Sequence, residues 1–198
     1  MIIQWLGDAC FKINTKNEQK EQTIALNPIQ RKKTSKINKF QADIAVITED
    51  EKKELELRGD YFFIHNPGEY EIGGIFVYGL PIINNKQKFT GIKVFTEEIS
   101  ILYLAQPTLN INDDFLDKIG NIDVLVVSAE VEKSEDLNKI SEIVTTLDPR
   151  IVVPFSDNLS YINDFLKISW LKSEKIDRLK LTKKDLMTED TKAIVLET

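Results

Sequence analysis

Residues 42–54 read Ala-Asp-Ile-Ala-Val-Ile-Thr-Glu-Asp-Glu-Lys-Lys-Glu. The run from Ala42 to Ile47 is apolar at every position but Asp43, the pattern of a strand buried on both faces of a sheet. It ends in Thr48 and a turn built only from Glu, Asp and Lys. Such a turn can be a catalytic loop, a carboxylate metal site or the start of a helix. Local physics favours the helix. Thr48 and Glu51 have Thr-x-x-Glu capping-box spacing, and Glu49, Asp50 and Glu51 fall in the first turn, where the helix dipole favours negative charge. Glu49 precedes Lys53 by four residues, the favourable orientation for an ion pair, and Gly59 supplies a C-terminal stop.

Short apolar runs dominate the chain on either side. Residues 1–14 split at Gly7 into two strands, with Trp5, Phe11 and Ile13 alternating against polar neighbours. The strand in 22–29 must end before Pro28, which has no N–H for a sheet ladder. Further strands are predicted at 61–66 and 73–83, and a hairpin over 91–106 turns at Glu97-Glu98. After residue 110 helices alternate with strands. Residues 112–120 form a short helix closed by Gly120. Residues 134–148 place Leu137, Ile140, Val144 and Leu147 on one helical face, with Ser134 as N-cap. A third helix covers 158–169, and the last strands, in 177–186 and 192–197, surround a short helical turn. Strands first, then strand–helix alternation, predict two stacked sheets with helices outside. The expectation is one domain over 1–198.

Composition narrows the function. The chain has 198 residues, 42% of them hydrophobic, and a net charge of −6. That charge argues against a nucleic-acid binder, and the basic stretch from Arg31 to Lys36 lacks interleaved aromatics for base stacking. No run approaches the roughly 18 apolar residues of a membrane span. Cys10 is the only cysteine and His65 the only histidine, so no internal disulfide and no cysteine-based zinc cluster can form. A soluble cytoplasmic protein is expected.

The order of elements, and the residues that fill it, resemble the metallo-β-lactamase fold. The branch most similar is that of lactonase-like Zn-dependent hydrolases. The resemblance rests on Trp5-Leu6-Gly7-Asp8-Ala9-Cys10-Phe11 against a Trp-Leu-Gly-His-Ala-Cys-Phe opening, on the strand at 42–48, and on Pro67-Gly68-Glu69-Tyr70-Glu71. Later strands, including residues 147–157, follow the same order. It implies an α/β protein with a four-layer αββα sandwich.

The resemblance also says where metal ligands would stand, and there this chain departs. The branch carries Thr-His-x-His-x-Asp-His after its buried strand, and the matching positions here are Glu49, Glu51, Lys53 and Glu54. Asp8 replaces the histidine of the opening motif. Asn27 stands at the aspartate before Pro28, Gln106 at a bridging aspartate, and Ser156 at a late histidine. One histidine per chain cannot form a three-imidazole centre, and His65 falls at none of these positions; it reads as a strand-end residue hydrogen-bonded nearby. The expectation is a vestigial pocket with its zinc lost, in a non-catalytic protein with a binding or structural role. The partner would be another protein or a small molecule, and a homo-oligomer is possible by analogy. The alternative is a hydrolase using Mg²⁺ or Mn²⁺ on Asp8, Glu49, Glu51, Glu54 and Asp157, acting on an ester, lactone or phosphate. Cys10, Ser128 and Ser156 lack an activating histidine, and Cys10 reads as a small buried residue.

Overall fold

Alternation of apolar and polar residues is resolved into strands in a computed structural model, which describes residues 1–198 except 18–19, 32–35, 49–53, 85–86, 107–111, 132–135 and 188–189. The first seven strands are β1 (Ile2–Trp5), β2 (Phe11–Asn17), β3 (Lys20–Leu26), β4 (Phe40–Gln41), β5 (Ile44–Val46), β6 (Leu57–Arg58) and β7 (Phe62–Ile64). β8 (Gly68–Ile72), β9 (Ile75–Asn84), β10 (Gln87–Thr96) and β11 (Ile99–Leu104) follow as antiparallel neighbours. The remainder is α1 (Asp113–Ile119), β12 (Val124–Ser128), α2 (Asp136–Leu147), β13 (Ile151–Phe155), α3 (Leu159–Ser169), β14 (Ser173–Ile176), β15 (Leu179–Lys180), a 3₁₀ turn (Lys183–Leu186) and β16 (Lys192–Leu196). One sheet has the order β15-β1-β2-β3-β5-β7, and the other β14-β16-β13-β12-β11-β10-β9-β8.

The two-residue period of a strand sorts these side chains onto two faces. Ile101 and Tyr103 of β11, with Val124 and Val126 of β12, join Phe11, Ile13, Ile24, Ile44 and Val46 in the core between the sheets. Leu102, Leu104, Leu125 and Val127 point the other way, onto Phe115, Ile140 and Phe165 of the helices. The sandwich expected from the sequence is therefore formed, with helices on the outer face of the larger sheet. Pro154 sits inside β13 without breaking it. Ile151 and Phe155 direct their backbone groups toward β12's side, so Pro154 points away, past Val152 where pairing with β16 ends.

The helix caps follow sequence chemistry. Asn112 accepts a hydrogen bond from the Phe115 N–H at 2.9 Å and opens α1, and Gly120 closes it at φ 59°. Asn158 caps α3 through the Ser160 N–H. Leu137, Ile140 and Val144 are buried on α2 as predicted. Ser134, its expected cap, lies outside the described residues.

The helix predicted from Thr48 to Gly59 is not formed over the part that is described. Residues 54–55 belong to no helix, and Leu57–Arg58 is β6, paired parallel with β4. The Glu56 N–H donates to the Pro28 carbonyl at 2.7 Å. Leu57 is buried against Ala25, Ala42 and Ala45 on the outer face of the smaller sheet, with Leu55 beside it. Glu54-Leu55-Glu56-Leu57-Arg58 alternates polar and apolar, a strand signal that the charge pattern obscured. Burial of one leucine face outweighs helix propensity, which is a weak preference. The capping partner Glu51 lies outside the described residues.

The hairpin between β10 and β11 turns at Glu97-Glu98 as read, with φ 51° and 60°. Left-handed backbone costs an L-residue about 1–2 kcal/mol, and the Glu97 carboxylate offsets this locally. It accepts from the Thr15 hydroxyl at 2.8 Å, the Lys16 N–H at 2.7 Å and the Met1 ammonium at 2.9 Å. Burial raises the Glu97 pKa, but these donors outweigh it and hold the carboxyl below its ordinary 4.5. A depressed folded-state pKa stabilises the fold above the unfolded value and ceases to do so as pH falls through the folded value. Glu97→Gln is thus expected to lower the denaturation midpoint at pH 7, with the difference from the parent protein shrinking below about pH 4.5.

Candidate functional site

Loops leaving β1, β3, β5, β11 and β13 meet at one end of the sandwich. The β1–β2 loop reverses through Gly7 at φ 97° and Asp8 at φ 53°. The Cys10 N–H donates to the Gly7 carbonyl, and the Trp5 indole N–H donates to the Asp8 carbonyl at 2.9 Å. Asp8 is buried. Its Oδ2 accepts from the Arg31 N–H at 2.8 Å, and its own N–H donates to Asp157 Oδ1 at 3.0 Å.

Asn27 ends β3 in the left-handed region at φ 45°, a conformation asparagine tolerates better than most residues. Its N–H donates to the Val46 carbonyl, joining β3 to β5. The side chain is buried and bonds on both ends. Oδ1 accepts from the Thr48 N–H at 2.9 Å, while Nδ2 donates to Thr48 Oγ1 at 2.9 Å and to the Tyr103 hydroxyl at 2.7 Å. Tyr103 in turn donates to the Ala9 carbonyl at 2.6 Å. A hydrogen-bonded chain thus crosses between the sheets, Asn27 and Thr48 on one, Tyr103 on the other. The Tyr103 ring stacks on Phe155 at 6.0 Å and meets Phe11 edge-on at 5.9 Å, and Phe11 meets Phe155 edge-on at 5.0 Å. Three packed rings fill the floor beneath the network.

The other positions singled out in the sequence behave differently. Ser156 is buried, and its Oγ accepts from the Asn158 N–H at 3.1 Å, closing the turn into α3. Gln106 is half-buried. Glu54 is exposed and pairs with Lys39, which holds its carboxyl below the ordinary range through that hydrogen bond. Glu49, Glu51 and Lys53 lie outside the described residues. Of the proposed carboxylate cluster, Asp157 meets the backbone N–H of Asp8, whose own Oδ2 turns to the backbone at Arg31. Among the described residues, no three of His, Cys, Asp and Glu gather to hold a metal ion. Cys10 is buried, and burial, reinforced by Asp8 and Glu56, pushes its thiol well above the ordinary range, the opposite of nucleophile activation. His65 follows β7, stacks on Phe63 at 5.0 Å and bonds Asn66 at 3.1 Å. Tyr103 and Arg31 were not foreseen, since only the folded chain brings them to Asn27 and Asp8.

Beside this network lies an open groove of about 780 Å³, lined by Trp5, Gly7, Lys36, Ser156, Asp157 and Glu197 among others. It carries both charge signs and one large aromatic ring.

Residues 2–156 match the model of the beta-lactamase superfamily domain. The chain belongs to the beta-lactamase superfamily. A protein from Thermotoga maritima, assigned as a Zn-dependent hydrolase of the metallo-β-lactamase superfamily, superposes with a TM-score of 0.78 at 21% identity, covering 98% of this chain and 97% of that one. The metallo hydrolase Igni18 of Ignicoccus hospitalis gives 0.59 at 15% identity, covering 99% and 94%. YhfI of Bacillus subtilis, a metallo-β-lactamase fold protein, gives 0.57 at 6% identity, covering 99% and 96%. No curated protein matches the sequence. These likenesses show the superfamily fold.

Three substitutions probe the network around Asn27. Tyr103→Phe strands the Ala9 carbonyl and one Asn27 amide proton, and Thr48→Val strands the other; each is expected to cost about 1–3 kcal/mol in denaturant melts. Asn27→Asp buries a carboxyl, whose folded-state pKa then rises above the unfolded value of about 3.9. Its destabilisation is expected to be full at pH 7 and to lessen as pH falls toward 4 and the carboxyl is protonated.

Proposed function

We propose that this chain is a metal-free, non-catalytic member of the beta-lactamase superfamily, whose pocket end serves binding or structure. The observation that carries the reading is the Asn27 amide. Its nitrogen donates both protons to protein hydroxyls, and an amide N–H₂ offers no lone pair to a cation. The rest of the donor set points the same way. Zinc sites draw mainly on imidazole, thiolate and carboxylate. Asp8 turns Oδ2 to a backbone N–H, Ser156 turns its hydroxyl oxygen to another, and the single histidine stands at the end of β7. These residues do not fit a zinc centre. The groove next to Asp157 supplies room for a partner or small molecule that carries both charge and an apolar face.

A second reading has one observation in its favour, the approach of the Asp157 carboxylate to the backbone of Asp8. With Glu49 and Glu51 it would give an oxygen-rich Mg²⁺ or Mn²⁺ site for hydrolysis, the class of activity assigned to the Thermotoga and Ignicoccus proteins.

Elemental analysis of protein purified without a metal-binding tag separates the two. The metal-free reading expects no stoichiometric zinc and a melting temperature unmoved by chelators or by millimolar Mn²⁺ and Mg²⁺. A cation bound only by the folded state at 100 times its Kd would add about 2.7 kcal/mol, a readily visible shift. Tightly held zinc would sink the proposal. Stabilisation by Mn²⁺ that Glu51→Gln abolishes would transfer the case to the carboxylate hydrolase.

A further inference from the structure

β7 is the last strand of its sheet. Its inner edge is occupied by β5, because the Phe62 N–H donates to the Asp43 carbonyl at 2.8 Å and the Ile64 carbonyl accepts from Ile47 at 3.0 Å. In a strand the N–H and C=O of one residue share a side, and the next residue's point the opposite way. The backbone groups of Tyr61, Phe63 and His65 therefore face outward, and none of them bonds the backbone of another described residue. The side chains are exposed as well: Tyr61 is 36% accessible, Phe62 48% and Phe63 42%. Natural edges are commonly guarded by lysine, proline or inward charge. From Gly59 to Tyr70 there is no lysine or arginine.

We propose that this edge pairs antiparallel with β7 of a second copy of the chain, about a two-fold axis through Phe63. The occupant follows from the sequence of the edge. Pairing centred on Phe63 sets Phe63 against its own copy, Phe62 against Ile64, Tyr61 against His65 and Asp60 against Asn66. Each polar residue meets a complementary one, and no charge faces a like charge. The segment is bounded by Gly59 on one side and Pro67 on the other, equidistant from Phe63. Backbone parity allows the same centre. With Tyr61, Phe63 and His65 directed outward, the pairs Phe63–Phe63 and Tyr61–His65 become hydrogen-bonded pairs, and every outward group gains a partner. A register shifted by one residue would oppose groups that β5 already occupies. On the outer face, Tyr61 meets Phe63 edge-on at 6.4 Å and Phe63 stacks on His65 at 5.0 Å, so pairing extends one row of rings into two facing rows. The smaller sheet would continue across the axis into its copy. Such pairing is independent of what occupies the pocket.

Sedimentation velocity over a concentration series, with disulfide trapping by oxidised glutathione, tests it. The expected result is a concentration-dependent dimer that Phe63→Lys and Tyr61→Lys convert to monomer, with circular-dichroism melts still showing folded protein. Cα atoms in a hydrogen-bonded antiparallel pair are about 5.5 Å apart, within the range a disulfide spans. Phe63→Cys is therefore expected to form a covalent dimer, while Tyr61→Cys and His65→Cys, each several residues from its own copy, do not. Cys10 is buried and does not interfere. A monomer at all concentrations, with no crosslink in the Phe63→Cys variant, would overturn the proposal. So would an oligomer indifferent to Phe63→Lys and crosslinked equally from Tyr61→Cys, or an edge that captures an unrelated β-strand peptide in place of its own copy.

Discussion

The hydroxyl of Tyr103 has one proton, and it goes to the carbonyl of Ala9. What remains on that oxygen is lone-pair capacity, so the neighbour facing it must donate. Asn27 does so, and its second amide proton goes to Thr48. A carboxylate at position 27 could not close this circuit without leaving the Ala9 carbonyl bare or burying a charge. One proton's destination thus dictates an amide at position 27. It also ties the β1–β2 loop, the end of β3 and the exit of β5 to a strand of the opposite sheet. Buried networks of this kind hold their geometry only when every member is satisfied.

The consequence for function lies in what that satisfaction uses up. The polar groups described at this end of the sandwich are bonded to the fold. Asp8 holds the backbone at Arg31, Ser156 holds the turn into α3, and the Phe11, Tyr103 and Phe155 rings pack beneath. The groove alongside keeps a surface suited to recognition, with Trp5 and charges of both signs. The superfamily fold is compatible with either chemistry or binding.

Much of this was legible in the residues. Runs such as Ile44-Ala45-Val46 and Val124-Leu125-Val126-Val127 announce buried strands because they are apolar on both faces. Asn112, Asn158, Gly120 and the Glu97-Glu98 turn carry their own local chemistry, and each appears where that chemistry places it. Reading failed where tertiary burial contradicted local charge. Residues 54–58 carry helix-friendly ends, yet Leu57 gains more from the alanine face of β3 and β5 than from a helical turn. The two-residue strand β4 gives no periodic signal of its own. Tyr103 was invisible as a site residue for another reason. It sits in an apolar strand, and its partners are 76 and 94 residues away in the chain. What Asp8, Asn27 and Ser156 bond to likewise required the fold.

The account stands or falls on the Asn27 side chain, which nuclear magnetic resonance can observe directly. Its two Nδ2 protons should appear as separate resonances that exchange slowly with solvent, because both are buried and bonded. Titration with Zn²⁺ should leave them in place, and Mn²⁺, whose unpaired electrons broaden nearby signals, should leave their linewidths unchanged. Fast exchange of those protons with water, or broadening that saturates at one Mn²⁺ per chain, would contradict the claim that this end of the sandwich is closed by its own hydrogen bonds.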